Sequence, residues 1–466
     1  PPACSGSEPV FMEKRKRQQK IGRYTIIGII GRGGMGTVYR AIMPETEQVI
    51  ALKLLHPAGS MIDLLGMNKL YEMFTAEARK MGELSHPNIV KVFDLDSDDG
   101  TPFFTMEYHC NNIGLMINEQ FILENSTRVI NPDKVMDYGS QVLEGLRFIH
   151  DAGIIHRDIK PHNILVTDED TVKICDFGMS RNDEDESIDT EGLKIGSPYY
   201  IAPEQNKNPE NSDQRSDLYS TAVMLYRMLT GELPGMKSFL LSRINPLYDR
   251  TWDDFFIRAL EWNPDSRFQS ANEMAAALLH LELHWEKRKA GTCRTLPQKE
   301  KDQAEIKHQL RTSPIRVSGS KAREAFAVNE LWQPVHYTDN IFAEKAELTV
   351  PDRATGLIWQ RKDPDLPVDR DEADAIIASL NDNLFCGLSI WRLPTVNELL
   401  TLVNDPKLPE SVCAADMLLL ERNWYWSCDR RSQKTSWYVN IRLGYTGWQE
   451  NGCRYSVRAV ASHLVR

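Results

Sequence analysis

The segment His156-Arg157-Asp158-Ile159-Lys160-Pro161-His162-Asn163, followed thirteen residues after Asn163 by Asp176-Phe177-Gly178, constrains this chain more than any other feature. Chance occurrence of both motifs, in this order and at this spacing, is remote. They sit between two contrasting stretches. From Arg23 to Arg40, apolar residues alternate around a glycine cluster, which predicts a hairpin of two strands. Ile50–Leu55 predicts a third strand, Asn68–Leu84 a helix, and Val90–Leu95 and Phe103–Tyr108 two more strands. Helical patterns then dominate at Asn131–Ala152, Asp213–Thr230, Trp252–Glu261 and Ala271–Glu286. The expectation is a small strand-rich lobe followed by a larger helical one.

The side chains placed on this frame suit one chemistry. Gly31-Arg32-Gly33-Gly34-Met35-Gly36-Thr37-Val38 fits GxGxxGxV. Glycines let a backbone approach phosphate oxygens and point N–H groups at them. The pattern alone is weak, but here it lies between two strands rather than opening a helix, which separates it from dinucleotide loops. Lys53 follows Ala51 on the next strand, among apolar residues, where it would reach α- and β-phosphates. Its partner should be a helical carboxylate, and Glu72 and Glu77 are both available. Transfer of a phosphoryl group needs mainly positioning and charge neutralisation. Asp158 would orient the acceptor hydroxyl and take its proton. Lys160 would neutralise the moving phosphoryl, and Asn163 and Asp176 would hold a metal ion.

These motifs resemble those of the bacterial eukaryotic-like (Hanks-type) Ser/Thr protein kinases over residues 23–285. Further matching positions are Gly196-Ser197-Pro198-Tyr199-Tyr200-Ile201-Ala202-Pro203-Glu204, Asp217 and Arg267. The resemblance implies a bilobal kinase fold, ATP and Mg2+ (Mn2+ able to substitute), and a protein substrate with Ser or Thr acceptors. It selects Glu77 as the partner of Lys53, because Glu77 stands nine residues before His86. The long Lys53–Glu77 separation then implies a few inserted residues. It assigns Gly31, Gly33, Gly36, Val38 and Ala51 to the nucleotide site, with Met106 as gatekeeper, Glu107 to His109 as hinge and Leu165 as the adenine floor. It makes Glu204 and Arg267 a buried ion pair, and Asp217 the anchor of the catalytic loop. Arg157 would face the activation loop, where Ser187, Thr190 and Ser197 are candidate acceptors. The acidic run Asp183 to Glu186 with Asp189 and Glu191 would partly replace a phosphate there. A Ser187→Ala/Thr190→Ala variant is therefore expected to keep substantial activity. A second reading stays open: a nucleotide-controlled binding or scaffold protein built on the same fold.

The 466-residue length suggests two to four domains, and the net charge of −11 argues against a dedicated nucleic-acid binder. No apolar run approaches the ~20 residues that span a bilayer, and no signal-peptide pattern opens the chain, so a cytoplasmic location is expected. The Pro-Pro start implies a trimmed terminus after which residues 1–22 form a polar arm. The eight scattered cysteines read as reduced thiols, with Cys428 and Cys453 as the one conceivable pair. Residues 286–324 carry eleven Lys/Arg against five acidic residues and read as a basic linker.

Seven of the ten tryptophans follow, in 325–466. One helix is expected there, at Arg370–Leu380. Val350-Pro351-Asp352-Arg353-Ala354-Thr355-Gly356-Leu357-Ile358-Trp359, Trp391-Arg392-Leu393-Pro394-Thr395, Tyr425-Trp426-Ser427 and Tyr455-Ser456-Val457-Arg458-Ala459 resemble the bacterial collagen-like-protein C-terminal family, placed in the C-type-lectin-like superfamily. The expected class is therefore α+β throughout: a kinase domain at 23–285 and a lectin-like α+β domain that binds a protein or small ligand. Trp359 and Trp391 are expected in its core, and Trp424, Trp437 and Trp448 on its surface. The tripeptides of calcium-dependent sugar sites are absent, so no such chemistry is expected.

Overall fold

The computed structural model describes residues 19–462 apart from 121, 123, 178–180, 183–198, 209–211, 236–239, 246–247, 293–309, 343–346, 404–417 and 421. Ser187, Thr190, Ser197 and the acidic run lie outside the described residues. The chain divides into two compact units, Pro1–Tyr108 and His109–Arg466.

The first unit holds β1 (Lys20–Ile21), β2 (Tyr24–Arg32), β3 (Gly36–Ile42), β4 (Val49–Leu55), α1 (Gly59–Leu65), α2 (Met67–Glu83), β5 (Val92–Asp98) and β6 (Thr101–Glu107). Its antiparallel sheet runs β1-β2-β3-β4-β6-β5. Ile21, Tyr24, Ala41, Ile50, Leu52 and Phe103 form one core face. On α2, Leu70, Phe74, Ala78 and Met81 are buried, at helical spacing. Glu77 lies on that same buried stripe. The inserted residues between Lys53 and Glu77 form α1.

The second unit opens with β7 (Asn111–Asn112), α3 (Ile113–Ile117), α4 (Pro132–Asp151), β8 (Ile154–Ile155), β9 (Ile164–Val166), β10 (Val172–Ile174) and β11 (Arg181–Asn182). Then come α5 (Pro203–Lys207), α6 (Gln214–Thr230), α7 (Leu241–Ile244), α8 (Arg250–Ala259) and α9 (Ala271–Thr292). Asn131, Asp213 and Asp249 each cap a helix through a side-chain oxygen that accepts a backbone N–H. Gly139 lets α4 meet its neighbours closely, since a Cβ there would stand 2.9 Å from Leu278 and 3.0 Å from Leu225. α9 runs past the expected Glu286, because Lys and Arg continue a helix at little cost.

The C-terminal part of the same unit comprises α10 (Gly319–Phe326), β12 (Thr349–Asp352), β13 (Leu357–Gln360), α11 (Arg370–Asp382), α12 (Val396–Leu400), β14 (Trp424–Arg430), β15 (Thr435–Asn440), β16 (Tyr445–Glu450) and β17 (Val460–Ser462). Its two sheets run β12-β13-β17 and β14-β15-β16. Capping boxes start α11 (Asp369, Glu372) and α12 (Thr395, Glu398).

Three expectations need correction. The stretch read as linker to residue 324 is structured from Leu310. Ile315, Val317 and Ala322 join the C-terminal core, and the Arg311 guanidinium grips Asp429 at 2.8 Å through both oxygens. Trp424 and Trp437 are buried, at 2% and 0% exposure, whereas Trp448 keeps 38%. Both faces of β14-β15-β16 are covered. Phe326, Trp332 and Trp448 surround Trp437, and Tyr455 stacks on Trp424. Polar neighbours in sequence therefore do not mark an open face. The cysteine reading fails as well: Cys110 and Cys453, read as reduced thiols, are bonded to each other, and Cys428, the partner considered for Cys453, is a free thiol. Trp359 and Trp391 are buried as expected.

Candidate active site

In the first unit, Lys53 occupies the middle of β4, between β3 and β6, opposite Val38 and Phe104. Its ammonium donates to Glu77 Oε1 at 2.6 Å, and both side chains are nearly buried. Glu72, the other candidate, pairs outward with Lys69 at 3.7 Å. The glycine turn is closed by Gly33 N–H donating to Gly36 O at 2.8 Å. A Cβ on Gly36 would lie 2.3 Å from Leu54 O, so packing demands glycine there. A Cβ on Gly31 or Gly34 would meet nothing within 4 Å. Packing places no demand for glycine at those two positions.

In the second unit, Asp158, Lys160 and Asn163 form one bonded group. Lys160 Nζ donates to Asp158 Oδ2 at 2.6 Å. Asn163 Nδ2 donates to Asp158 O at 2.8 Å and to Asp158 Oδ2 at 2.9 Å. These bonds use the amide N–H groups and turn the carboxamide oxygen to other use. Cys175 N–H donates to Asn163 O at 3.0 Å, which sets Asp176 beside this group. His156 Nε2 approaches Cys175 O at 3.2 Å and its ring packs on Phe177.

Arg157 (φ 68°) and Asp176 (φ 67°) both adopt the left-handed region without being glycine. Such strain persists only where the surroundings fix it, and it concentrates at functional sites. For Arg157 the fixing group is Asp217, fully buried, which accepts from His156 N at 2.9 Å, Arg157 N at 2.7 Å and His150 Nε2 at 2.8 Å. Burial pushes the Asp217 carboxyl upward, and the His150 and His156 bonds outweigh that and hold it below the usual range. Arg267 forks onto Glu204 with two bonds of 2.7 Å.

One network carried no assignment in the sequence. Glu119 accepts from Tyr200 OH at 2.5 Å, pairs with Arg227 at 3.2 Å and meets His162 Nε2 at 3.3 Å. The His162 ring lies over Gly114, where a Cβ would stand 2.4 Å from it. The glycine inside the apolar run Ile113–Ile117 was the available signal.

Asp168 lies in the β9–β10 turn. Burial, then the neighbouring Glu169 charge, raise its carboxyl from 3.8 to about 6, against His109, Arg454 and Arg422. A raised acid favours the fold while protonated, so this contribution weakens as pH rises from about 4 to about 6. The melting temperature of Asp168→Asn, minus that of the parent, is therefore expected to increase across that window. Thermal melts at several pH values measure it, and a constant difference would refute the assignment.

The sequence profile described as protein kinase domain matches residues 24–298, and the profile described as Lcl C-terminal domain matches residues 348–461. A Clostridium acetobutylicum protein described as "probable serine/threonine-protein kinase" is 31% identical over 274 residues, covering 56% of this chain and 40% of that protein. Serine/threonine-protein kinase PrkC of Bacillus subtilis is 29% identical over 269 residues, covering 55% and 40%. The chain thus spans about two fifths of the length of these relatives. The crystal structure of the Mycobacterium tuberculosis PknI kinase domain superposes with a TM-score of 0.44 at 27% identity, over 56% of this chain and 97% of that one. No helix among the described residues is long and apolar enough to cross a membrane.

Proposed function

The chain belongs to the protein kinase family, and on that premise we propose that it transfers the γ-phosphate of ATP to Ser or Thr hydroxyls of a protein substrate. The observation that carries this reading is the bonded group Asp158–Lys160–Asn163, with Asp176 beside it. Asp158 orients the acceptor hydroxyl and receives its proton. Lys160, already 2.6 Å from Asp158, offers its positive charge to the phosphoryl in transit. The residues present fit a nucleotide and a divalent cation. Gly31 and Gly34 leave open backbone, Lys53 is a paired and buried cation, and Asn163 and Asp176 present oxygen donors of the type Mg2+ takes. Bound there, Mg2+ would neutralise charge on the phosphates. Met106, Glu107, His109, Val38, Ala51 and Leu165 would frame the adenine. The Lcl-type domain serves as a recognition module of lectin-like affinity, supported by its sequence resemblance, for a protein or small ligand.

Transfer of radiolabel from ATP to a generic basic protein, with Asp176→Ala as control, tests the reading. Label on the parent and none on the variant is the expected result. Equal label on both would end it.

A further inference from the structure

The segment that follows the expected nucleotide edge (Met106 to His109) is gripped by the C-terminal domain. Cys110 is bonded to Cys453, 343 residues further along. Gln449 Nε2 donates to Cys110 O at 2.9 Å. The Tyr455 hydroxyl donates to Asn111 Oδ1 at 2.8 Å, in a buried position. The Arg128 guanidinium lies 3.8 Å from the centre of the Tyr445 ring, and Arg128 is itself tied to Met116 O at 2.8 Å. Residues 110–128 thus meet β16 and the loop after it through one covalent and three non-covalent contacts. It is the sole disulfide among the described residues.

We propose that the Cys110–Cys453 bond is a thiol-operated latch that fastens the C-terminal domain to the segment following the nucleotide edge. Its effect on nucleotide binding rests on the kinase reading; the latch itself does not. The two sulfurs differ in access: Cys453 is 1% exposed, whereas Cys110 is part-exposed. A thiolate of a small dithiol attacks the Cys110 sulfur, the S–S bond breaks, and Cys453 leaves as a thiolate that takes up a proton. The second thiol of the reductant then closes on the first, releasing the Cys110 thiol. Two electrons pass from the dithiol to the protein, and a small cyclic disulfide is formed. Oxidation by that disulfide runs the same steps backwards. The Tyr455, Gln449 and Arg128 contacts survive reduction, so opening the latch loosens the joint without unfolding either part.

The full chain, equilibrated with dithiothreitol couples from reduced to oxidised and quenched with an alkylating agent, is to be mapped by mass spectrometry. Amide exchange and the affinity for a fluorescent ATP analogue with Mg2+ are read on the same samples. The oxidised protein should yield the Cys110–Cys453 peptide. Reduction should speed exchange about tenfold or more over Asn111–Ile117 and Tyr445–Tyr455, and shift the analogue affinity several-fold. Cys453→Ser and Cys110→Ser should each match the reduced parent under all conditions, and Cys428→Ser should respond as the parent does. Absence of the linked peptide under oxidising conditions, or equal exchange in both states, overturns the latch. Faster exchange with unchanged affinity overturns its coupling to the nucleotide. Faster exchange with no analogue binding in either state supports the latch and sinks the kinase reading instead.

Discussion

Asp158→Asn should lower phosphoryl transfer by about 10²–10⁴-fold, the range in which a positioned proton acceptor contributes, while leaving nucleotide affinity essentially unchanged. Asp158 Oδ2 is the point where Lys160 Nζ (2.6 Å) and Asn163 Nδ2 (2.9 Å) converge. An amide of the same shape keeps one acceptor oxygen for these donors. It removes the negative charge and the basic lone pairs that the acceptor hydroxyl needs. The backbone of the loop is held by other groups: Asp217 on His156 and Arg157, and Cys175 on Asn163. The loss therefore belongs to the rate and not to the fold. Steady-state transfer to a generic peptide, beside a thermal melt and a nucleotide titration, separates the two. A variant that phosphorylates itself or the peptide at the parent rate would remove Asp158 from the chemistry.

What was legible in the sequence and what was not divide along a physical line. Asp158 and Asn163 are readable because their chemistry sets residue type and spacing within a short segment, whereas Lys53 left Glu72 and Glu77 both open until the family resemblance chose Glu77. Strand alternation in Arg23–Arg40 and helical spacing in Asn68–Leu84 are equally local. The C-terminal half resisted where the answer depends on what covers a surface. Trp437 sits among Ser436, Tyr438 and Thr435, a pattern that suits an open sheet face. Burial follows because Phe326 packs on it at 4.9 Å and because its indole N–H donates at 3.0 Å to Val317 O, in a stretch that reads as basic linker. Leu310, Ile315 and Val317 were hidden by the charges around them. Cys110 and Cys453 carry no local signal at all, since a pairing across 343 residues is decided only by docking. The Glu119–Arg227–Tyr200–His162 network has the same character. Each member is unremarkable in its own segment, and only the convergence of four segments makes it a unit.

The largest stability effect is expected from Arg267→Ala. The Arg267 side chain is 1% exposed, and every arm of its guanidinium is used. Nε donates to Glu261 O at 2.6 Å, Nη1 to Glu204 Oε1 at 2.7 Å and to Arg215 O at 3.3 Å, and Nη2 to Glu204 Oε2 at 2.7 Å and to Trp262 O at 3.0 Å. Removal takes both Arg267 bonds from the Glu204 carboxylate, which keeps its Ser216 hydroxyl, and takes one donor from each of three backbone carbonyls. Breaking a buried pair by deleting one partner costs about 3–5 kcal/mol. The paired Glu204 carboxyl supports this. Burial pushes it upward, yet the Arg267 bonds bring it below its ordinary range. Its share of stability is thus present at neutral pH and fades as acid protonates the folded form. Arg267→Lys keeps the charge and loses the fork, so it should fall between parent and alanine variant. Urea unfolding of the full chain measures both, with a lowered midpoint at unchanged slope as the expected signature. A loss under about 1 kcal/mol, the level of an exposed pair, would show that Glu204 and Arg267 do not hold this lobe together.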